Sequence, residues 1–205
     1  MENTKSKKVN VRKITACAML TAVAIVLQYV EFSVPVMPAF IKLDFSDLPE
    51  LIGALAYGPV AGIVIALLKN LIHLPMTGSG CIGELSNFIL GAIFAGIAGL
   101  IYKKNKTKKG ALIGGIVGSL AMAVVSVFTN YFIVYPLYYT VLNFPEPAVL
   151  GMYQVLLPSV KNIFEALLIF NLPFTFVKGV IVVAMTMLIY KPISPFLHKN
   201  MTKTK

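Results

Sequence analysis

The sequence has few charged residues: 13% of its 205 residues are Asp, Glu, Lys or Arg, while 58% are hydrophobic. A soluble domain usually carries about 25% charged residues. Apolar runs recur along the whole length, so no hydrophilic stretch of about 50 residues remains in which a separate soluble domain could build a core. The composition excludes an ordinary soluble protein and predicts a single membrane domain over residues 1–205.

Groups that carry catalytic or metal chemistry are also scarce. The sequence has two histidines and two cysteines, and Cys17 and Cys81 are too far apart to indicate a CxxC pair, a metal set or a disulfide framework. It contains no GxxxxGK[ST], HExxH or GxSxG motif. These absences argue against an enzyme, a metal site or a cofactor. Without an ATPase motif or a sustained chain of intramembrane carboxylates, transport against a gradient would need an energised partner.

Acidic residues are outnumbered, with eight Asp and Glu against eighteen Lys and Arg, and the formal net charge is +10. The basic residues flank apolar runs and do not form one patch interleaved with aromatics, so they indicate membrane topology and not nucleic-acid binding. They fall in three clusters: Lys5, Lys7, Lys8, Arg12 and Lys13; Lys103, Lys104, Lys106, Lys108 and Lys109; and Lys191, Lys199, Lys203 and Lys205.

Five apolar runs are long enough to be membrane spans, which need about 20 residues. They are Ile14–Val30, Leu48–Leu74, Ile82–Tyr102, Ala111–Tyr139 and Leu172–Tyr190. The first run follows a basic stretch as a signal peptide would, but no small-x-small cleavage site closes it convincingly, so we expect a mature helix.

Pro59 interrupts the second run, since proline inside a helix loses a hydrogen bond and clashes with the preceding turn. One kinked helix there would give five spans and place the basic clusters on opposite sides. A hairpin at Gly58-Pro59 gives six and places all three on the cytoplasmic side, as the positive-inside rule requires. We therefore predict an all-α integral membrane protein, a six-helix transmembrane bundle in the cell membrane, with both termini and the Lys103–Lys109 loop in the cytoplasm. The basic tails cover about residues 1–13 and 191–205.

The two central helices of this bundle are short. Leu48–Tyr57 would reach only about 15 Å, so the two cannot each cross fully and need shelter from their neighbours. Seven of the eight acidic residues then lie on or near the outer side: Glu31, Asp44, Asp47, Glu50, Glu84, Glu146 and Glu165.

Polar side chains inside the apolar runs concentrate in the predicted outer half. The sharpest pattern is Asn171, Thr175 and Lys178, whose spacing puts them on one helix face. Charged groups in a membrane are costly and usually mark a site, so the pattern predicts a pocket open to the outside. Any single Asn or Ser could instead be polar contact between helices. The other polar residues of the predicted outer half are Gln28, Glu31, Lys69, Asn70, His73, Ser86, Asn87, Ser126, Thr129 and Asn130.

The segment Pro35–Ser46, between the first two helices, is rich in Pro and aromatics and could be a lid over this pocket. After this segment, Asp47 is predicted as the N-cap of the next helix, with Pro49 in the first turn. Glu50, three residues on, would bond back to the N-cap N–H as in a capping box. Tyr131, Tyr135 and Tyr138 could stack on an aromatic ligand, although tyrosines near a membrane surface more often belong to an interfacial belt.

Small residues at four-residue spacing predict close helix contacts within the bundle. They are Gly110, Gly114 and Gly118, then Gly91, Ala95 and Gly99, with Ala18 and Ala22 as a similar pair on the first helix.

The segment KLDFSDLPELIGALAYGPVAGIVIALLKNLI, Lys42–Ile72, resembles the substrate-binding (S) subunits of energy-coupling factor (ECF) vitamin transporters, most specifically the riboflavin-specific ones. Further matches are Ser86-Asn87-Phe88, Asn130-Tyr131-Phe132, Pro136-Leu137-Tyr138, Pro173-Phe174 and Lys178-Gly179. Together they extend from about residue 12 to 190. The chain departs from the pattern at Thr175, where the riboflavin-specific members have Asn three residues before the lysine; Asn171 lies one turn further out.

The resemblance implies a high-affinity, outward-facing riboflavin site and a shared module of one membrane T subunit with two ATPases. The AxxxA docking motif that this family carries on its first helix is matched here by Ala18 and Ala22. The ligand-binding positions implied are Leu43, Asp44, Phe45, Asn87, Asn130, Tyr131, Asn171, Thr175 and Lys178.

Other functions remain open from the sequence. The chain could serve a different vitamin such as thiamine, folate or biotin, although the absence of Trp disfavours subunits that stack ligands on tryptophan. A stand-alone channel or carrier would move its substrate without an ATPase. A scaffold without a ligand would leave the polar pocket unexplained.

Overall fold

The computed structural model describes the backbone of residues 11–77 and 80–198, and side chains through residue 189. The helices of the first half are α1 (Val11–Tyr29), α2 (Asp47–Tyr57), α3 (Pro59–His73) and α4 (Ile82–Lys104). The second half contains α5 (Lys108–Thr129), α6 (Tyr135–Val141), α7 (Glu146–Leu156), α8 (Ile163–Ala166) and α9 (Leu172–His198).

Several short elements join these helices. A 3-10 turn, Leu74–Met76, follows α3. Two π-helical segments continue the chain without a break, Asn130–Val134 from α5 to α6 and Leu167–Asn171 from α8 to α9. Strands β1 (Phe32–Ser33) and β2 (Lys42–Leu43) pair antiparallel between α1 and α2.

The predicted hairpin at Gly58-Pro59 is present. Gly58 separates α2 from α3 with a φ of 95°, a conformation that favours glycine, and Pro59 opens α3 where its missing N–H costs nothing. The turn packs against α4 near that helix's last turn, because a Cβ added at Gly99 would lie 2.9 Å from Pro59 Cα. The hairpin therefore reaches from the β1–β2 end of the bundle down to the end that carries the α4–α5 loop.

Five helical segments of the described chain are long and apolar enough to cross a membrane. They are Val11–Tyr29, Pro59–Met76, Ile82–Lys104, Lys108–Val141 and Ile163–Ile189. With 11 residues, α2 spans only about 16 Å and is the short member of the bundle. The predicted all-α membrane fold is confirmed, and α3 with its 3-10 turn is long enough to cross.

Several predicted boundaries differ from the structure. The last span begins at Ile163 and not at Leu172, and its helix continues to His198, past the predicted tail boundary at residue 191. Helix α7 was not predicted, because its 11 residues are too few to register as a membrane span. The basic residues in 1–10 and 199–205 lie outside the described residues, as does the side chain of Lys191.

Small residues bring α4 close to its neighbours, as their spacing predicts. A Cβ on Gly114 or Gly118 of α5 would lie 2.8 Å from a carbonyl oxygen of α4, at Ala98 and Phe94 respectively. Gly110 differs, since it packs against Asn105 of the preceding loop. Helix α5 packs in turn against α9, and most of α1 is exposed at the periphery of the bundle.

Gly99 and Gly96 of α4 form a matched pair for testing how tightly the hairpin turn packs. Gly99→Ala would place a methyl group against the backbone of Pro59, so we expect a loss of about 1 to 3 kcal/mol in stability. A Cβ at Gly96 would meet only the flexible end of Ile63 at 3.4 Å. Gly96→Ala should therefore be neutral, or stabilising by up to about 1 kcal/mol from helix propensity. Thermal unfolding of both variants in detergent measures the difference, and equal melting temperatures would show that the turn does not pack closely on α4.

Candidate functional site

Lys178 of α9 lies between two carboxylates inside the bundle. Its Nζ is 3.1 Å from Asp44 Oδ2 and 3.0 Å from Asp47 Oδ2, and the side chain is 12% exposed. Asp44 belongs to the segment after β2, and Asp47 is the first residue of α2. Because the last span begins at Ile163, Lys178 lies about four turns below its start. The predicted start of this span at Leu172 would place Lys178 only about two turns deep.

A second lysine, Lys69 of α3, is fully buried beside the same helix start. Its Nζ is 3.2 Å from Asp47 Oδ1 and 2.6 Å from Glu50 Oε1, and it also donates to the Ser46 hydroxyl. The two oxygens of Asp47 thus accept from two different lysines. Breaking a buried ion pair by removing one partner typically costs about 3 to 5 kcal/mol, so these contacts hold α2, α3 and α9 together.

Ser46 closes these contacts into a ring. Its hydroxyl and its backbone N–H, the latter at 2.8 Å, both donate to Asp44 Oδ1, while the other oxygen of Asp44 accepts from Lys178. We call the closed set of Asp44, Ser46, Asp47, Lys69 and Lys178 the ion ring. It ties the segment after β2 to α2, α3 and α9.

The predicted capping role of Asp47 and Glu50 was wrong. Ser46 occupies the N-cap position with helical dihedral angles and makes no side-chain capping bond, and Asp47 lies inside the helix. Both carboxylates instead face Lys69. A hydrogen bond from a buried ammonium is charge-assisted and roughly twice as strong as a neutral one, so the lysine outcompetes the backbone N–H groups.

Asp44 remains ionised in this setting. Burial alone would raise the pKa of its carboxyl, but Lys178, Lys69 and the two donors of Ser46 together hold that pKa below its usual range. A group whose pKa is depressed by folding stabilises the protein at neutral pH and loses this contribution only as the pH falls through the depressed value. The Asp44 carboxylate therefore keeps its charge at neutral and mildly acidic pH.

The predicted lid segment packs against an aromatic cluster at the end of the bundle where α7 lies. The Phe40 ring contacts Tyr135, Tyr138 and Tyr153 edge-on, with ring centroids 6.1 to 6.4 Å apart. The hydroxyls of Tyr135 and Tyr153 are 2.5 Å apart, and that of Tyr153 donates to Asn171 Oδ1 at 2.6 Å. Asn171 is thus joined to α7, and the segment Pro35–Ser46 is held at Phe40 as well as at Asp44.

The other predicted ligand-binding residues occupy several positions around the bundle. Leu43 is buried at the end of β2, and Asn130 is buried at the start of the first π segment, where its Nδ2 donates to Ser126 O at 2.8 Å. Asn87 of α4 and Thr175 of α9 are half-buried. The Phe45 ring packs against Phe32.

Tyr131 lies apart from this group. Its ring packs edge-on against Phe132 and Phe164, and 41% of the residue is exposed beside these apolar side chains. The structure does not bring it into contact with the ion ring. Ala18 and Ala22 are exposed on α1.

Three ring members, Ser46, Asp47 and Lys69, were absent from the predicted ligand-binding positions. Lys69 carried a usable signal, as a lysine inside an apolar run, but its spacing did not name Asp47 as its partner. The sequence around Ser46 is typical of an ordinary helix start, so it gave no indication that Ser46 is part of a site. Tyr153, the partner of Asn171, lies on the unpredicted α7 and gave no signal in the sequence.

The arrangement suits a polar, uncharged ligand. The lysines Lys69 and Lys178 face three carboxylates, those of Asp44, Asp47 and Glu50, so the buried cluster has no surplus positive charge for an anion. Lys178 is paired with two carboxylates among the described residues, and an ammonium has three N–H groups, so one donor remains for a ligand. No group of three His, Cys, Asp or Glu side chains in the described part of the chain is arranged to hold a metal ion.

Comparison with known proteins matches nearly the whole chain. The family model described as "ECF transporter, substrate-specific component" matches residues 12–190. A solved structure described as "Structure and mechanism of the S component of a bacterial ECF transporter" is 30% identical with a TM-score of 0.73, covering 93% of this chain and 99% of that one.

Several curated relatives match over a similar length. "Riboflavin transporter RibU" of Staphylococcus aureus (strain TCH60) is 31% identical over 189 residues, covering 92% of this chain and 93% of the relative. The protein of the same name from Streptococcus thermophilus is 33% identical, covering 93% and 86%. "Riboflavin transporter FmnP" of Bacillus subtilis (strain 168) is 28% identical, covering 93% and 96%.

Proposed function

The chain belongs to the substrate-specific components of ECF transporters, and we propose that it captures riboflavin for uptake into the cell. The main support is that relatives from several bacteria, matched over nearly their whole length, are named riboflavin transporters. A neutral vitamin with a polyol chain also suits a site with one spare lysine N–H and no surplus positive charge. The chain acts as a binding and transport subunit and not as an enzyme.

The ligand site lies above the ion ring. In it, the spare N–H of Lys178 donates to a hydroxyl of the polyol chain, and Asn130, Asn171 and Thr175 offer further hydrogen bonds. Leu43, Asp44 and Phe45 approach from the segment after β2, and Asn87 approaches from α4. Tyr131 has the least support among these positions, because its ring packs among exposed apolar side chains.

Uptake requires partners, namely a membrane T subunit and two ATPases. Ala18 and Ala22 are exposed on the peripheral helix α1, where two small residues one turn apart allow another helix to approach closely. We assign this surface to the T subunit. By the positive-inside rule, the lysine clusters support a cytoplasmic location of both termini and the α4–α5 loop, and in this orientation the α7 end faces outside the cell.

Purified protein titrated with riboflavin tests the assignment directly. We expect stoichiometric binding, quenching of flavin fluorescence and, if the vitamin co-purifies, a yellow preparation. A titration with thiamine, biotin and folate serves as the control. If the titration releases binding heat with one of those vitamins and none with riboflavin, the chain serves that other vitamin. Uptake into liposomes without any ATPase would instead indicate a stand-alone carrier.

Thr175→Val and Lys178→Met separate the roles of the two α9 residues. Loss of a hydrogen bond between neutral groups costs about 0.5 to 1.5 kcal/mol and loss of one to a charged group about 1.5 to 3. The dissociation constant for riboflavin should therefore rise roughly threefold to tenfold for Thr175→Val and roughly tenfold to a hundredfold for Lys178→Met.

Thr186→Val is the matched control, because Thr186 is buried on the same helix and, among the described residues, its hydroxyl donates to the backbone of its own helix, at Val182 O. It should leave the affinity unchanged. If Thr175→Val and Lys178→Met lower the melting temperature without changing the dissociation constant, the polar stripe serves only to pack helices.

Ala18→Leu combined with Ala22→Leu should leave riboflavin binding unchanged and abolish ATP-driven uptake, because bulky side chains block close approach of a partner helix. Met19→Leu with Val23→Leu is the control, since both residues are exposed on α1 and change little in volume. The measurements are binding to the purified subunit and uptake by the reconstituted complex. Normal uptake by the double Ala variant would exclude this face from docking.

A further inference from the structure

Lys69 reaches Lys178 by two separate routes around the ion ring. One runs through the Asp47 carboxylate, which accepts from Lys69 at 3.2 Å on Oδ1 and from Lys178 at 3.0 Å on Oδ2. The other runs through the Ser46 hydroxyl to Asp44, whose Oδ2 accepts from Lys178 at 3.1 Å. Both acceptors of Lys178 are thus linked to Lys69, Asp47 directly and Asp44 through the Ser46 hydroxyl.

These contacts determine where the remaining N–H of Lys178 points. A lysine side chain is long and flexible, so its ammonium has no fixed orientation of its own. The three N–H groups of an ammonium are tetrahedral, however, and two fixed acceptors determine the direction of the third. A change that loosens Asp44 and Asp47 therefore misdirects this donor even when Lys178 itself is intact.

Lys69 is buried completely, and its partners among the described residues are Ser46, Asp47 and Glu50. It lies ten residues into α3, and Ser46 and Asp47, which it contacts, are themselves buried. Lys69 therefore lies behind Lys178, whose remaining N–H faces the proposed ligand site.

We propose that Lys69 is a positioning residue for ligand binding, which acts by orienting the ammonium of Lys178 through Asp47 and through Ser46 and Asp44. This rests on the proposed function, in which Lys178 donates to the polyol chain of riboflavin. Lys69 sets the affinity for the polyol while making no contact with the vitamin.

Two variants weaken the two routes to different extents. Ser46→Ala removes one link and leaves the Asp47 route, so the dissociation constant for riboflavin should rise about threefold. Lys69→Met combined with Glu50→Gln removes both routes and also one of the three buried carboxylates, which limits the unpaired charge left behind. Its dissociation constant should rise about tenfold or more. Ser119→Ala is the control, because Ser119 is a fully buried serine whose hydroxyl, within the described part of the chain, donates to its own helix at Gly115 O.

A double-mutant cycle with Lys178→Met distinguishes positioning from simple stabilisation. If Ser46 acts through Lys178, Ser46→Ala should cause no further loss of riboflavin affinity once Lys178 is replaced. Lumiflavin, which has a methyl group in place of the polyol chain, gives a second readout on Ser46→Ala alone, and its affinity should not change.

Equal losses for riboflavin and lumiflavin, or a Ser46→Ala effect that persists in the Lys178→Met background, would overturn the proposal and leave Lys69 a role in stability only. Unchanged riboflavin affinity in both variants would overturn it as well. A wild-type protein that binds neither flavin would instead refute the proposed function on which this inference depends.

Discussion

The buried charges at the start of α2 are the constraint on which the rest of the structure depends. Lysines within membrane helices are costly unless they are paired, and two of them, Lys69 and Lys178, lie on different spans. Two of their carboxylate partners, Asp47 and Glu50, come from α2, a helix too short to cross the membrane, and the third, Asp44, comes from the segment before it. The hairpin at Gly58-Pro59 then returns the chain through α3, so that Lys69 packs against the same carboxylates.

The same constraint fixes the segment that precedes α2. Because Asp44 accepts from Lys178, the strands and the Phe40 loop are drawn onto the bundle, where Phe40 meets the tyrosines of α6 and α7. One end of this segment is thus held by charge and the other by aromatic packing.

The sequence predicted the features that arise from composition and periodicity. Apolar runs located the spans, Gly58-Pro59 located the hairpin, and the 171–175–178 spacing singled out Lys178. The prediction from sequence was wrong where one local pattern is compatible with two structures. Asp47 and Glu50 have the spacing of a capping box, yet both carboxylates pair with Lys69, which is 22 residues from Asp47. The early start of the last span did have a signal, because Asn162 caps the helix by accepting from the N–H of Glu165. Helix α7 had none, since its 11 residues do not form a membrane-length run.

A structure of the protein with riboflavin bound tests the central claim most directly. If the ion ring orients Lys178 toward the vitamin, Lys178 Nζ should lie about 3 Å from an oxygen of the polyol chain while keeping its contacts with Asp44 and Asp47. A polyol chain bound away from Lys178, or a Lys178 that has left both carboxylates to reach it, would contradict the account.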